Sequence, residues 1–287
     1  MNSITLLSPA KLNLTLEVLG KRPDGYHEIR SIMQPVDLFD EVRIEATEGS
    51  GIDIETKGLD IAVPGENLAH RAAAEFLNRS GLELKVNVVI NKRIPIEAGL
   101  GGGSGNAASV LVGLNKLFKR FSEDELIGIS ARIGADVPFF IHSRTSLIEG
   151  IGEKITLLPG FPLLHYVLIN PDLEVPTKDV YEHWDEISSG APAPTIIEDT
   201  IALFKEGKIP LDNALEAPAI EIFPEIISLR GLLEGLEPDG VSMSGSGPTM
   251  FGAFTVCRDA KKAYDYLKDS TTLGVYSARG IEGWHRY

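Results

Sequence analysis

A glycine-rich stretch between a predicted strand and a predicted helix constrains this chain most. It runs from Pro95 to Ala108 and contains five glycines. Before it, apolar residues at every second position predict a half-buried strand, namely Leu84, Val86, Val88 and Ile90. After it, apolar residues at helical spacing predict a helix, namely Ala107, Val110, Leu111, Leu114, Leu117 and Phe118. Since loop amides and a helix N-terminus together bind anions, this order predicts a phosphate-binding loop.

This stretch differs from two well-known phosphate-binding loops. A P-loop requires a lysine followed by serine or threonine, and no lysine follows Gly103. The dinucleotide-binding pattern requires a third glycine, which is missing here, and a ribose-binding acidic residue about 20 positions later, and none is evident in that role. A flexible surface loop is the alternative that the stretch by itself leaves open.

Length and charge limit the classes of protein that this chain can represent. Its 287 residues, 43% of them apolar, fit one large or two medium domains with a substantial core. The net charge of −14 argues against a nucleic-acid partner, because nucleic-acid phosphates would be repelled. A small phosphorylated substrate remains compatible, because nearby residues set the field within a pocket.

Cysteine, histidine and hydropathy patterns indicate a cytoplasmic protein without a zinc site. Cys257 is the single cysteine, which excludes an intrachain disulfide and fits a reducing compartment. It follows the apolar run 250–256, which predicts a buried structural thiol. The six histidines show no metal-ligand spacing. We expect no membrane partner, because the chain has neither a signal-peptide pattern nor about 18 consecutive apolar residues.

Polar residues with chemical potential lie near the beginning of the chain. Residues 10–19 alternate, so Lys11 and Asn13 are predicted on the strand face opposite the apolar side chains. Tyr26 and His27 directly follow a predicted turn at residues 21–25. A solvated strand face and two residues beside a turn are the simpler interpretations that this pattern leaves open.

Three further features lie in the middle and second half of the chain. Asp136 is a lone carboxylate among apolar residues; a buried aspartate needs a partner, so it either caps a turn or serves catalysis. Asn67 stands near the start of a predicted helix over 66–80, where capping is the simple role. A second glycine stretch, Ser242 to Thr249, is either a hairpin turn or the other half of one ligand site.

The predicted domain boundary lies within residues 154–164, where prolines interrupt the pattern. We therefore expect an N-terminal domain over 1–157 and a C-terminal domain over 158–287. Residues 188–194 are predicted to form a linker, since they are rich in Ser, Gly, Ala and Pro.

Three motifs in this order resemble those of the GHMP kinases, a family of small-molecule kinases. They are Ser8–Leu14, Pro95–Ala108 and Ser242–Thr249. Together with Arg22–His27 and Gly134–Pro138, they are most similar to the members that phosphorylate a cytidine-diphospho sugar alcohol for isoprenoid synthesis by the non-mevalonate route. The resemblance implies an α+β fold with a ribosomal-protein-S5-like N-terminal domain and a ferredoxin-like C-terminal domain that completes the substrate cleft.

The resemblance also implies a role for each site residue. The γ-phosphoryl group of ATP would pass to an alcohol, with Asp136 as catalytic base and Lys11 as its charged partner. Asn13, Tyr26, His27 and Asp136 would hold the substrate, and Ser104 would reach an ATP-bound Mg²⁺. In the family pattern, a second serine usually stands at Gly105. The residues implied to bind ATP are Asn67, Lys92, Pro95, Ile96, Glu97, Ala98, Gly99, Leu100, Gly101, Gly102, Gly103, Ser104 and Gly105.

Other functions remain open beside this one. A nucleic-acid-binding protein could use the S5-like half, although the net charge opposes it. A dinucleotide-dependent oxidoreductase is opposed by the glycine spacing. Within the family, the alternative is a kinase that acts on mevalonate, homoserine or a sugar. A monomer and a homodimer fit the sequence equally well.

Overall fold

The computed structural model describes residues 2–58, 67–171, 173–188 and 197–284. Its strands are β1 (Asn2–Lys21), β2 (His27–Glu48), β3 (Gly51–Lys57), β4 (Leu84–Asn91), β5 (Ser146–Gly150), β6 (Lys154–Leu157), β7 (His165–Asn170), β8 (Asp212–Asn213), β9 (Gly240–Met243), β10 (Met250–Phe254) and β11 (Gly274–Arg279). Its helices are α1 (Leu68–Ser80), α2 (Gly102–Phe118), α3 (Glu123–Ser130), α4 (Val137–His142), α5 (Thr177–Ile187), α6 (Ile197–Lys205), α7 (Glu216–Ile222), α8 (Glu225–Glu234) and α9 (Cys257–Ser270). The predicted mixed α+β class is therefore confirmed.

The first sheet is built on the long antiparallel pair β1 and β2. Its order is β3-β4-β2-β1-β8, with β5 on β2 and β6 on β5. The register of the β1–β2 pair shifts at three places, one of them between Asn13 and Thr15. Such bulges bend and twist a long strand. The apolar alternation in the sequence predicts short strands at residues 10–19 and 42–46. In the structure these residues belong to the much longer strands β1 and β2.

The second sheet belongs to the later part of the chain and has the order β11-β7-β10-β9. The short strand β8 leaves this region and pairs in parallel with β1 at Thr15 and Leu16. Near the C-terminus, the Trp284 indole N–H donates to the Phe140 carbonyl oxygen over 3.1 Å. The later part of the chain therefore contacts the first half at strand β1 and at helix α4.

Three clusters of buried apolar side chains lie around these sheets. The first lies between the first sheet and helices α1–α4, the second lies between the two sheets, and the third lies between the second sheet and helices α5 and α7–α9. Strand β1 contributes to all three, in turn through Leu6, then Ala10, Leu12 and Leu14, and then Leu16 and Val18. Because of this, residues 8–16 are all buried, including Lys11 and Asn13. The simpler interpretation of this pattern, a solvated strand face, is therefore wrong.

Several local predictions are confirmed. Gly81, which the sequence predicts as the end of the first helix, ends α1 in the left-handed conformation. The pattern Ser122 to Glu125 predicts a capping box, and Ser122 with Glu125 forms one at α3. Strand β4 alternates between buried and half-buried residues as predicted. Trp184 is buried in the third cluster.

Other elements differ from the sequence prediction. Residues 219–236, whose apolar spacing predicts a helix, form parts of two helices, α7 and α8, with Pro224 between them as the N-cap of α8. Cys257 is exposed rather than buried, because β10 ends at Phe254 and the thiol belongs to the start of α9. Helix α4 and strands β5 and β6 are too short for periodicity to predict. Residue 66 of the first predicted helix, and 189–194 of the predicted linker, lie outside the described residues.

Candidate active site

A cavity of about 990 Å³ opens where the two glycine stretches meet. Residues from the first sheet, from the connection between β9 and β10 and from the starts of α2 and α5 form its wall. Most of the residues singled out in the sequence line it, namely Lys11, Asn13, Asn67, Lys92, Pro95 to Ser104 and Asp136. The structure thus brings together side chains that are up to 125 positions apart in the sequence.

The glycine stretch is partly loop and partly helix. Gly101 is the N-cap of α2 in the left-handed conformation, with φ 68°, and the helix begins at Gly102 rather than near Ala107. The backbone N–H of Gly105 donates to the Gly101 carbonyl over 2.9 Å, so the N–H groups of Gly102, Gly103 and Ser104 precede the first intrahelical bond. These three residues line the cavity, and the first turn of α2 carries no acidic residue. This end of the helix therefore favours an anion.

Asn67 and Lys92 both line the cavity. Asn67 caps α1, since its side-chain oxygen accepts from the backbone N–H of Ala69 over 2.9 Å. This confirms the simple capping role, and it leaves a role in ligand binding untested. The ammonium group of Lys92 pairs with the carboxylate of Asp40 and donates to Asn106 Oδ1 over 3.3 Å. Lys92 is thus a cation held beside the first turns of α2.

Asp40 organises the base of this loop, and sequence reasoning missed it. Its carboxylate is fully buried and accepts from the backbone N–H groups of Arg93 and Ile94 over 2.7 and 2.9 Å. It also accepts from Asn106 Nδ2 over 2.9 Å. These bonds tie the segment before the loop to helix α2. No local spacing distinguishes Asp40 from the other acidic residues near it, so only the folded chain reveals it.

The second glycine stretch packs directly against the first. The Ser244 hydroxyl donates to the Gly99 carbonyl over 3.0 Å and accepts from the backbone N–H of Asn13 over 3.3 Å. A Cβ at Gly99, where φ is 73°, would overlap the Ser244 carbonyl oxygen. Gly245 and Ser246 from this stretch line the cavity. Both stretches therefore contribute to one site, as the sequence suggested.

Lys11 and Asn13 form a buried pair on β1. The Lys11 ammonium donates to Asn13 Oδ1, and Asn13 Nδ2 donates to Ser31 Oγ over 2.8 Å. The Lys11 backbone N–H donates to the Leu100 carbonyl over 2.9 Å, which holds the strand against the glycine loop. Burial lowers the pKa of Lys11, and the negative charge of Asp136 acts in the opposite direction.

Asp136 is the N-cap residue of α4 but makes no side-chain capping bond. It is half-buried rather than buried, and its charge reaches both Lys11 and Tyr181. Among the described residues, no ion pair within 4.0 Å joins it to Lys11; the carboxylate and the ammonium interact through space across the cavity. The carboxylate is therefore open to a ligand.

Tyr26 and His27 lie beside the cavity rather than in its lining. Tyr26 is 62% exposed. The imidazole of His27 stacks on the ring of Tyr181, with centroids 4.7 Å apart, and Tyr181 lines the cavity. Burial, followed by the charge of Asp136, raises the pKa of Tyr181. Helical spacing over residues 176–187 predicts a helix with Tyr181 on its apolar side. The sequence contains no signal that relates Tyr181 to His27.

Gly105 does not line the cavity. A Cβ at this position would lie 2.7 Å from the Pro9 carbonyl oxygen and 3.0 Å from Ser8 Oγ. Since the first of these atoms is backbone, a serine would require strand β1 to shift. The glycine found at this position is thus a consequence of close packing between α2 and β1.

The described residues contain neither a clustered metal site nor a membrane-spanning helix. Within the described residues, no group of three or more His, Cys, Asp or Glu side chains could hold a metal ion. No helix in the described ranges is both long and apolar enough to cross a bilayer.

Comparisons with known proteins agree with this architecture. Residues 67–144 match the family described as the GHMP kinases N terminal domain. A 4-diphosphocytidyl-2-C-methyl-D-erythritol kinase from Geobacter metallireducens is 39% identical, with 98% of this chain and 100% of the relative covered. The enzyme of the same name from Geobacter sp. is 44% identical, with 88% and 90% covered.

A solved structure extends the likeness to three dimensions. The crystal structure of a 4-(cytidine 5'-diphospho)-2C-methyl-D-erythritol kinase has a TM-score of 0.84 and 34% identity, with 97% of this chain and 100% of that chain covered. Identity of this extent over nearly the whole length, together with the cavity described above, places the chain in the GHMP kinase family, among the 4-diphosphocytidyl-2-C-methyl-D-erythritol kinases.

Proposed function

We propose that this protein transfers the γ-phosphoryl group of ATP to the 2-hydroxyl of 4-diphosphocytidyl-2-C-methyl-D-erythritol. One observation carries the proposal: the cavity has an anion-binding helix end together with a lysine and an open carboxylate. Phosphoryl transfer needs positioning and charge stabilisation more than covalent chemistry. The names of the relatives support this choice of substrate.

In this proposal, ATP lies along the first glycine stretch. The N–H groups of Gly102, Gly103 and Ser104 bind phosphate oxygens, and the ammonium of Lys92 adds a positive charge close to the same helix turns. Asn67 lies on the other side of the cavity near the adenosine. The loop residues 95–101 form the floor; Gly105 supports the helix from behind.

The residues present fit a magnesium ion that arrives with the nucleotide. Mg²⁺ commonly takes one or two protein ligands and completes its shell with phosphate oxygens and water. The described residues contain no dedicated metal cluster, while the Ser104 hydroxyl lies at the cavity wall. The ion would neutralise phosphate charge when bound. Ser104 is the residue that we assign to it.

Asp136 and Lys11 perform the proton transfer in this scheme. The Asp136 carboxylate accepts the proton of the attacking hydroxyl, since it makes no capping bond that would compete. Lys11, fixed by its bond to Asn13, supplies positive charge opposite Asp136 and orients the hydroxyl. Asn13 contacts the same part of the substrate.

The cytidine end of the substrate lies near Tyr26 and His27. His27 stacks on Tyr181, and an aromatic face that stacks on a base contributes about 1–3 kcal/mol if nucleic-acid values transfer. We assign residues 1–157 to an ATP-binding domain and 158–287 to a domain that completes the cleft. With a single cysteine, the cytoplasm is the compartment that we propose.

An acceptor screen tests the function. Purified protein is given Mg²⁺-ATP and one alcohol at a time, and ADP formation is followed. We expect turnover with 4-diphosphocytidyl-2-C-methyl-D-erythritol and little with mevalonate, homoserine or galactose, because these lack a base. Equal turnover with mevalonate would favour the alternative, a different GHMP kinase. No turnover with any of the alcohols would reject the function.

A further inference from the structure

We propose that Asp185 is a positioning residue for the substrate end of the cavity, acting through His27. The inference rests on the proposed function, because it assigns to His27 a ligand with an aromatic base. Asp185 belongs to helix α5, in the later half of the chain, whereas His27 begins β2. The two residues are 158 positions apart, so only the folded chain brings them together.

The imidazole of His27 is enclosed by helix α5. Its Nε2 atom bonds to Asp185 Oδ1 over 2.8 Å. One face of the ring stacks on Tyr181, and the ring meets the edge of Trp184 with centroids 5.9 Å apart. The side chain is 9% exposed. The ring therefore has one orientation, which α5 imposes.

Asp185 is itself held in place. The ammonium of Lys21, the last residue of β1, donates to Asp185 Oδ2 over 2.6 Å. One carboxylate oxygen thus binds the end of β1 and the other binds the start of β2. Since a carboxylate fixed at both oxygens cannot rotate freely, the bond to His27 has a defined direction.

This arrangement leaves Nδ1 as the ring nitrogen that a ligand can reach. Within the described residues, His27 has a hydrogen-bond partner at Nε2 only, and no buried side-chain nitrogen or oxygen lacks a partner. Nδ1 is therefore accessible. Because Tyr181 both stacks on His27 and lines the cavity, the His27 ring and its free nitrogen extend the wall where a flat base would stack.

We predict that loss of Asp185 changes KM for one substrate and not for the other. Losing Asp185 frees the His27 ring, so the protein must order it when the base-bearing substrate binds. Within the described residues, no hydrogen bond or ring contact joins the ATP end, formed by α2 and Lys92, to this network. Asp185 therefore affects KM for the cytidine-containing substrate and leaves KM for ATP and kcat unchanged.

The test compares neighbouring carboxylates on one helix. Asp185→Ala is expected to raise KM for 4-diphosphocytidyl-2-C-methyl-D-erythritol about 2- to 10-fold, the equivalent of one lost hydrogen bond. Asp185→Asn retains one acceptor oxygen, so its KM for this substrate should lie between those of Asp185→Ala and the parent. The matched control is Glu186→Ala. Glu186 bonds to the surface histidine His183 over 3.0 Å, and we expect no change in either KM.

A double-mutant cycle separates positioning from a general structural role. In a His27→Ala background, Asp185→Ala should have no further effect on the substrate KM. An equal effect in both backgrounds, or an equal rise in both substrates' KM, would overturn the inference. So would a substrate KM that Asp185→Ala leaves at the parental value.

Binding of cytidine 5'-diphosphate, measured by calorimetry, keeps this test independent of turnover. Weaker binding to Asp185→Ala but not to Glu186→Ala supports the inference even if the acceptor screen rejects the kinase function. Turnover together with unchanged binding in both variants rejects the inference and leaves the function intact. Failure of the nucleotide to bind the parent protein also rejects the inference.

Discussion

Burial of strand β1 disfavours the charged form of Lys11, a residue that we propose for catalysis. Its side chain is buried, and removal of the ammonium from water lowers its pKa from the ordinary value of 10.5. The charge of Asp136 offsets part of this effect. Between the lowered value and 10.5, the unfolded chain binds more protons than the folded one. The stability of the folded protein therefore rises with pH across this interval.

Lys11→Met should separate stability from activity. The thioether keeps much of the volume without a buried charge, so the variant should unfold at a higher urea concentration than the parent at pH 7. This advantage should shrink as the pH approaches 10.5, because the parent then loses its proton. Turnover should be largely lost. A variant that is less stable at pH 7, or an advantage that grows with pH, would contradict this explanation.

Asp136→Asn should abolish most turnover without changing the fold. The amide has the same shape but cannot accept the hydroxyl proton, so kcat should fall by about 10²–10⁴-fold. Stability at pH 7 should fall only slightly, because Asp136 makes no side-chain bond at its helix end, although its charge offsets part of the effect of burial on Lys11. The control is Asp124→Asn, an exposed carboxylate in the first turn of α3, which should behave like the parent. A folded Asp136→Asn protein with near-parental kcat would exclude Asp136 as the base.

At the level of secondary-structure elements, the glycines at the start of helix α2 differ in the space that surrounds them. Gly101 needs the left-handed conformation, and a Cβ there would lie 3.0 Å from Lys11 Cγ and 3.1 Å from the ring of Phe140. A larger residue at Gly101 would therefore disturb packing as well as phosphate approach. Gly103 differs, since its first neighbour is Leu68 Cδ1 at 3.9 Å. It is the better position for testing ligand contact alone.

Gly103→Ala should weaken ATP binding and preserve the fold. Its methyl group would stand at the cavity wall, where phosphate oxygens approach the backbone, and KM for ATP should rise. The free energy of unfolding should not fall, because alanine favours the helix over glycine. The control, Gly128→Ala in α3, has no atom within 4 Å of the added Cβ and should leave KM for ATP unchanged. Parental ATP binding by Gly103→Ala would argue against a phosphate site at this helix end.

At the scale of the whole molecule, the two sheets share one core. Leu12 and Leu14 of the first sheet belong to the same cluster as Tyr166 and Phe251 of the second. Strand β8 and the indole of Trp284 add contacts from the later half back to the first. A shared core couples the unfolding of its two sides. The two proposed domains are therefore expected to be one folding unit.

Calorimetry should show a single unfolding transition. Leu12→Ala removes side-chain volume from the core between the sheets and should lower the free energy of unfolding by about 2–5 kcal/mol. The whole transition should move to lower temperature, rather than one part of it. Two resolved transitions, or a shift of only one of them, would show that the halves unfold independently.

Local sequence patterns are sufficient to predict several secondary-structure elements and motifs of this protein. The alternation of β4, the caps of α1 and α3 and the anion-binding start of α2 depend on residues close in sequence. Hydrophobic periodicity and capping act over a few residues, so they are readable without the fold. The glycine loop, Lys11, Asn13 and Asp136 were identified for the same reason, since their motifs are continuous stretches of chain.

Only the tertiary structure decided what lies opposite those motifs. Both faces of β1 are buried because a second sheet, more than 140 residues later, covers one of them. Asp40 binds Lys92 from 52 positions away, and Asp185 binds His27 from 158. Each of these carboxylates resembles any surface acid in the sequence, since its partner is chosen by long-range packing. A contact between distant segments leaves no periodic trace in either one, and the fold alone brings the two together.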